Sequence, residues 1–411
     1  MKSVLLLLGF GVFVFMICAT ASAGRGELYG KIYTTDDEVF EGFIRWDKNE
    51  GSWHDILDGT KELDRERGKR YYRDRRRHDR RISIFGLTVY DENDGSFFNV
   101  DAAESGIEMG HIKTIIPEGS DEALLVLKSG EEVYLERGST DIGDDIREIL
   151  IKDKKEGELE LYWSDIDKIE FMDAPNEEGF GKRLYGKVMT RRGDDFTGFI
   201  TWDVDEIFND DILDGRESSR KRKIEFGKIE KIERRSSSSA IVTLKSGTEM
   251  RLTESNDIDS GNRGICIFDK GLGRVTVDWD EFDGILFSDG PPEPTYNDFD
   301  GGKLLHGTVY TEGGDKYTGR IKWDDDEEYT WELLDGKYND VDMDVEFGNI
   351  ASIERRSRSS SIVKLKDGRE FRLRDSNDVD DDNKGIFIFE GNDKEGVMVD
   401  WYDFEKVEFD Q

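Results

Sequence analysis

Leu184-Tyr185-Gly186-Lys187-Val188-Met189-Thr190-Arg191-Arg192-Gly193-Asp194-Asp195-Phe196-Thr197-Gly198-Phe199-Ile200-Thr201-Trp202 reads as two strands and a turn. Leu184, Gly186, Val188 and Thr190 take every second place in the first strand. Phe196, Gly198, Ile200 and Trp202 do so in the second, the period of a half-buried strand. The polar Arg191 to Asp195 stretch closes the pair as a hairpin.

The hairpin returns twice. Phe40, Gly42, Ile44 and Trp46 match its second strand upstream, and Tyr317, Gly319, Ile321 and Trp323 match it downstream. From the Trp, a Trp-Asp-x-[Asp/Asn]-Glu loop leads to Leu-Asp-Gly at Gly59, Gly215 and Gly336, 13 residues on in every copy. Leu127-Lys128-Ser129-Gly130 recurs at Leu244 to Gly247 and Leu365 to Gly368. Trp163 to Phe171 recurs at Trp279 to Phe287 and Trp401 to Phe409. A constant 121 residues separates Gly215 from Gly336 and Gly247 from Gly368, so these copies are in register. The first copy carries an insertion: Gly59 to Gly110 spans 51 residues where its counterparts span 12, placing the extra chain at about 61–100.

These spacings predict an all-β chain of three tandem modules, each a small antiparallel barrel or sandwich. Modules are expected at residues 24–173, 182–288 and 303–411, with linkers at 174–181 and 289–302, the latter marked by Pro291, Pro292 and Pro294. Strands are expected at Ile224–Phe226, Ile241–Leu244, Glu249–Leu252, Gly264–Phe268 and Arg274–Trp279, with no amphipathic helix. Each copy divides into two halves whose strand spacing resembles that of SH3-like or Sm-like half-barrels. That resemblance carries no motif and transfers no function.

Ahead of the modules, an apolar run from Val4 to Cys18 leads to Ala19-Thr20-Ala21-Ser22-Ala23, the pattern of a signal peptide cleaved before Gly24. The run is shorter than the roughly 20 residues of a span, and no later stretch approaches one, so no transmembrane segment is expected after cleavage. A periplasmic or extracellular protein follows. Cleavage leaves Cys266 without a partner for an intramolecular disulfide, and its apolar surroundings predict a buried, inert thiol.

The chain carries 94 Asp and Glu against 59 Lys and Arg, a net charge of −35, which disfavours nucleic acid as a partner. Its four histidines have no metal-ligand or triad spacing, and the repeat places equivalent to His54 hold Asp210 and Trp331. No P-loop, GxGxxG, HExxH or GxSxG occurs. The carboxylates Asp203, Asp205 and Glu206 beside Trp202 could act as a glycosidase pair, but a strand-exit loop is expected to be solvated and to leave their acidity ordinary. No catalytic residue and no resident cofactor is therefore assigned.

Calcium is the one candidate cation. Asp257, Asp259 and Asn262 match Asp378, Asp380 and Asp382-Asn383 as acidic turns, although counting from Asp378 the EF-hand Gly and Glu places hold Asn383 and Phe389. The alternative is a solvated turn satisfying its own backbone. The insertion is a candidate anion site. Residues 61–81 hold 11 Lys or Arg against 5 Asp or Glu, including Arg73, Arg75, Arg76, Arg77, Arg80 and Arg81. The function expected is a non-enzymatic binding or scaffolding protein of a bacterial envelope or exterior, with protein or glycan partners and no nucleic acid. A carbohydrate-active hydrolase and a calcium-stabilised adhesion module are the alternatives.

Overall fold

The computed structural model describes residues 26–62, 82–84, 87–90, 102–136, 139–391 and 396–410. The leader and the arginine cluster at Arg73 to Arg81 lie outside the described residues. What is described is all-β, in antiparallel sheets of ten, twelve and eight strands. Ile82–Ile84 and Leu87–Tyr90 form a separate two-stranded hairpin within the first-copy insertion. The helical elements among the described residues are single 3-10 turns, such as Phe226–Lys228. None is long and apolar enough to cross a membrane.

Module two shows the shared order. From one edge to the other run Arg220–Glu225, Ile212–Glu217, Glu249–Thr253, Ser239–Leu244, Ile229–Ser236, Phe282–Phe287, Tyr185–Thr190, Asp195–Trp202, Ile265–Asp269 and Gly273–Val277. Module one repeats this order from Ala102–Glu108 at one edge to Gly157–Leu161 at the other. Module three repeats it too, its first two strands, Val341–Glu346 and Leu333–Tyr338, meeting the rest through the Lys337 to Arg374 bridge. Each module is thus one run of ten strands.

The glycines of the quoted hairpin are required by close approach. Gly186 faces Gly198 across it, as Gly30 faces Gly42 and Gly307 faces Gly319. A Cβ on Gly186 would lie 2.7 Å from the Leu286 carbonyl oxygen, and one on Gly198 would lie 2.3 Å from that of Phe268. Side chains there would push the flanking strands away. The hairpin's tryptophan instead fills the core: Trp46, Trp202 and Trp323 are fully buried and meet Trp163, Trp279 and Trp401 edge-on, with ring centroids 6.2 to 6.4 Å apart.

The modules are not beads on a string. Gly273–Val277 of module two pairs with Val341–Glu346 of module three, which is how the middle sheet reaches twelve strands. The segments between modules are packed straps. Tyr296 inserts into the core of module one and donates its hydroxyl to the Ile112 carbonyl at 3.1 Å, and Gly301 bonds to His111. Trp331 of module three is also buried in the core of module one.

Candidate functional site

The acidic loop after each hairpin tryptophan is built by a tight reversal. Asp203 and Val204 both take left-handed backbone, φ 50° and 53°, as do Asp47 with Lys48 and Asp324 with Asp325. The Trp202 N–H donates to the Glu206 carbonyl at 2.8 Å, and Glu206 returns a bond at 3.0 Å. Asp and Asn tolerate such backbone; a β-branched Val does so only under strain. The reversal turns the Asp203 carboxylate fully inward.

There it meets a built-in cation. Arg263 donates its backbone N–H to Asp203 Oδ1 at 2.7 Å and its guanidinium to Oδ2 at 3.0 Å, and also pairs with Asp205. Asn256 donates to Asp203 as well. In module one Arg147 does the same for Asp47, helped by Thr140 at 2.8 Å. In module three Lys384 and Asn377 hold Asp324, the ammonium lying 3.7 Å from it and 3.5 Å from Asp326. In each copy a basic side chain of the protein itself, Arg147, Arg263 or Lys384, lies against the inward aspartate.

The candidate calcium residues serve the same closure. Asp257 accepts the Asp214 N–H through its carboxylate and the Trp202 indole, at 2.9 Å, through its carbonyl. Asp378 does likewise for Asp335 at 2.8 Å and Trp323 at 3.0 Å. Asp141, which the sequence reading missed, is the third equivalent, bonded to Asp58 and Trp46. Asp259 and Asp380 cap their own turns through Gly261 and Asp382, and Asn262 and Asn383 accept from Gly264 and Gly385. These residues do not converge on one point. The acids whose ligand oxygens do gather, within 4.8 Å, are Asp203, Asp205 and Glu206.

The loops are less solvated than the sequence suggests. Glu50, Glu206 and Glu327 each leave one oxygen buried without a hydrogen-bond partner among the described residues. Burial, followed by repulsion from Asp205, Asp257 and Asp203, pushes Glu206 up to about 10, and burial drives Glu50 and Glu327 well above the ordinary carboxylate range. With its value near 10, Glu206 keeps its proton at pH 7. Because the folded value is raised, the stability Glu206 contributes is complete below about 4.5 and is lost as pH rises towards 10.

A second cluster lies where modules one and three meet. Ligand atoms of Glu108, His111 and Glu346 lie within 4.8 Å of one another. His111 Nδ1 accepts the Gly301 N–H at 3.1 Å, so in the neutral ring the proton sits on Nε2, which faces Glu346 at 3.6 Å. A ring so tautomerised has no lone pair to offer a metal there. Burial and the facing Glu346 push the Glu108 carboxyl well up.

Cys266 is buried, and burial pushes its thiol up to about 11, so it is unreactive. Clefts among the described residues include two away from these loops. One, of about 420 Å³, lies where modules two and three meet, among Phe196, Leu272, Phe371 and the Arg369–Asp269 pair; the other, of about 140 Å³, lies beside Tyr29 and Lys152. Neither is lined by the acidic loops. In comparisons with known proteins, no family model, no curated protein and no solved structure matches this chain.

Proposed function

We propose that this chain is an exported binding or scaffolding protein of a bacterial envelope or exterior, with no chemistry of its own. The observation that carries this reading is the closure of all three acidic loops by Arg147, Arg263 and Lys384, which spends their carboxylates on holding strands together. A glycosidase needs two carboxyls flanking a bond in an open cleft. Here the raised pKa of Glu206 arises from burial in a turn and from the acids around it, Asp205 first. The leader pattern before Gly24 supports export. The test is incubation with envelope glycans, read both for binding and for turnover. Binding without turnover is expected; turnover abolished by Asp203→Asn or Asp324→Asn would overturn the proposal. Mass spectrometry of the cell-derived protein should find Gly24 at its N-terminus.

One observation favours a calcium-stabilised module as the second reading. In module three the cation is a lysine, and Asp326 Oδ1 and Glu327 Oε2 are both buried without a hydrogen-bond partner among the described residues. Thermal unfolding in EDTA and then with calcium decides it, since a ligand at a hundred times its Kd adds about 2.7 kcal/mol.

A further inference from the structure

The joint between modules two and three shows how one module's last strand receives another's first. Gly273–Val277 and Val341–Glu346 run antiparallel with Arg274 opposite Asp344, Val275 opposite Met343 and Thr276 opposite Asp342. The Arg274 guanidinium reaches the Asp344 carboxylate at 2.6 Å, so the pairing is marked by charge as well as by backbone bonds. The equivalent edges elsewhere end their sheets. Gly157–Leu161, last in the sheet order of module one, and Arg220–Glu225, first in that of module two, each have a neighbour on one side only among the described residues.

These two edges carry opposite charge at matched places. Gly157 pairs with Asp153 as Gly273 pairs with Asp269, so Glu158 and Glu160 stand where Arg274 and Thr276 stand in the joint. Ile224 pairs with Leu213 as Val345 pairs with Leu334, so Lys223 and Lys221 stand where Asp344 and Asp342 stand. Laid in the register of the joint, Glu158 faces Lys223 and Glu160 faces Lys221. All four side chains are exposed. On the other face Leu159 meets Arg222, whose guanidinium is already held by Glu217 and whose stem can cover the leucine.

The signs are reversed relative to the joint inside the chain. An acidic last strand would set Glu158 and Glu160 against Asp344 and Asp342 if it took the first strand of module three. Arg274 would likewise face Lys223 if it took that of module two. Like charges directly opposite disfavour both exchanges.

We propose that copies of this chain associate edge to edge, the acidic strand Gly157–Leu161 of one adding to the basic strand Arg220–Glu225 of another in the register of the internal joint. A reciprocal pair closes as a dimer; a non-reciprocal one continues as a filament. The association goes beyond the binding reading and stands on the two edges alone, so glycan binding can fail without touching it. The net negative charge opposes encounter, but at physiological salt that field is screened beyond about 8 Å, while paired strands lie closer than 5 Å.

The test is sedimentation velocity of the purified protein at physiological salt with two charge-reversal variants, Glu158→Lys/Glu160→Lys and Lys221→Glu/Lys223→Glu. The wild type is expected to associate and each variant alone to weaken association by roughly tenfold or more. A mixture of the two variants restores it, because each then offers the edge the other lacks. All substituted residues are exposed, and unchanged circular dichroism checks the fold. A wild type monomeric at every concentration would overturn the proposal and make the lysines guards against edge pairing. Association surviving equally in both variants would also overturn it, by placing the contact on another surface.

Discussion

Between modules two and three a sheet continues, strand to strand, from Gly273–Val277 into Val341–Glu346. Between modules one and two no strands pair among the described residues, and side chains make the seam. Asp55 and Arg183 meet there at 2.7 Å with both side chains essentially unexposed, Arg45 grips Asp211 with two bonds, and the His54 ring lies against Phe199 and Phe268. A backbone-paired joint spreads its bonds over main-chain groups that every residue carries, so most single substitutions leave it standing. A seam built from buried charge depends on a few side chains, each of which is expensive to orphan.

That contrast can be broken most sharply at Asp55. Asp55→Ala leaves Arg183 buried without its partner, and denaturant unfolding should show a loss of about 3–5 kcal/mol. At the joint, beside the buried Arg274–Asp344 pair, a second weak point is backbone. Gly273 has φ 135°, and a Cβ there would lie 2.2 Å from the Asp344 carbonyl oxygen. Gly273→Ala should therefore cost about 1–3 kcal/mol and raise hydrogen exchange along Val341–Glu346, with the seam amides unaffected.

The third prediction separates the two contacts by pH. Burial, and secondarily Arg183, hold His54 well below its ordinary 6.5. Its contribution is complete above 6.5 and is lost as pH falls below that, because the unfolded chain takes the proton first. Exchange at the seam should rise on acidification, and His54→Phe, which keeps the aromatic packing, should flatten that dependence. Smallest of all should be Arg369→Ala at the joint. Its pair with Asp269 is more than a third exposed on the arginine side, so the loss should stay within about 1 kcal/mol despite two good hydrogen bonds. A loss near that of Asp55→Ala would erase the distinction between joint and seam.

What the sequence made legible was whatever the three copies share. The hairpin, its glycines, the buried tryptophans and the acidic turns all repeat, and period two with a constant spacing is a local signal. Module contacts escaped because they lie where the copies differ. The place held by His54 is Asp210 in module two and Trp331 in module three, and two of the three are buried against a neighbouring module. Arg183 matches Glu27 and Leu304. Comparison of repeats discards such positions as drift, although divergence at one place in every copy was itself the signal. The loop-closing cations had a better one: Arg263 and Lys384 each lie 60 residues beyond the aspartate they hold. The burial of Glu50, Glu206 and Glu327 had none, since it depends on how tightly the turn folds back on its strand.

Tyr296 and Trp331, seated in the first module's core, also set an order of events. Synthesis delivers module one first, yet its interior stays open until chain far beyond its own last strand, Ile166–Phe171, has emerged. Contacts of such long sequence separation make folding slow. Until they form, the core of the N-terminal module lacks Tyr296 and Trp331, so its completion waits on the arrival of the C-terminal half.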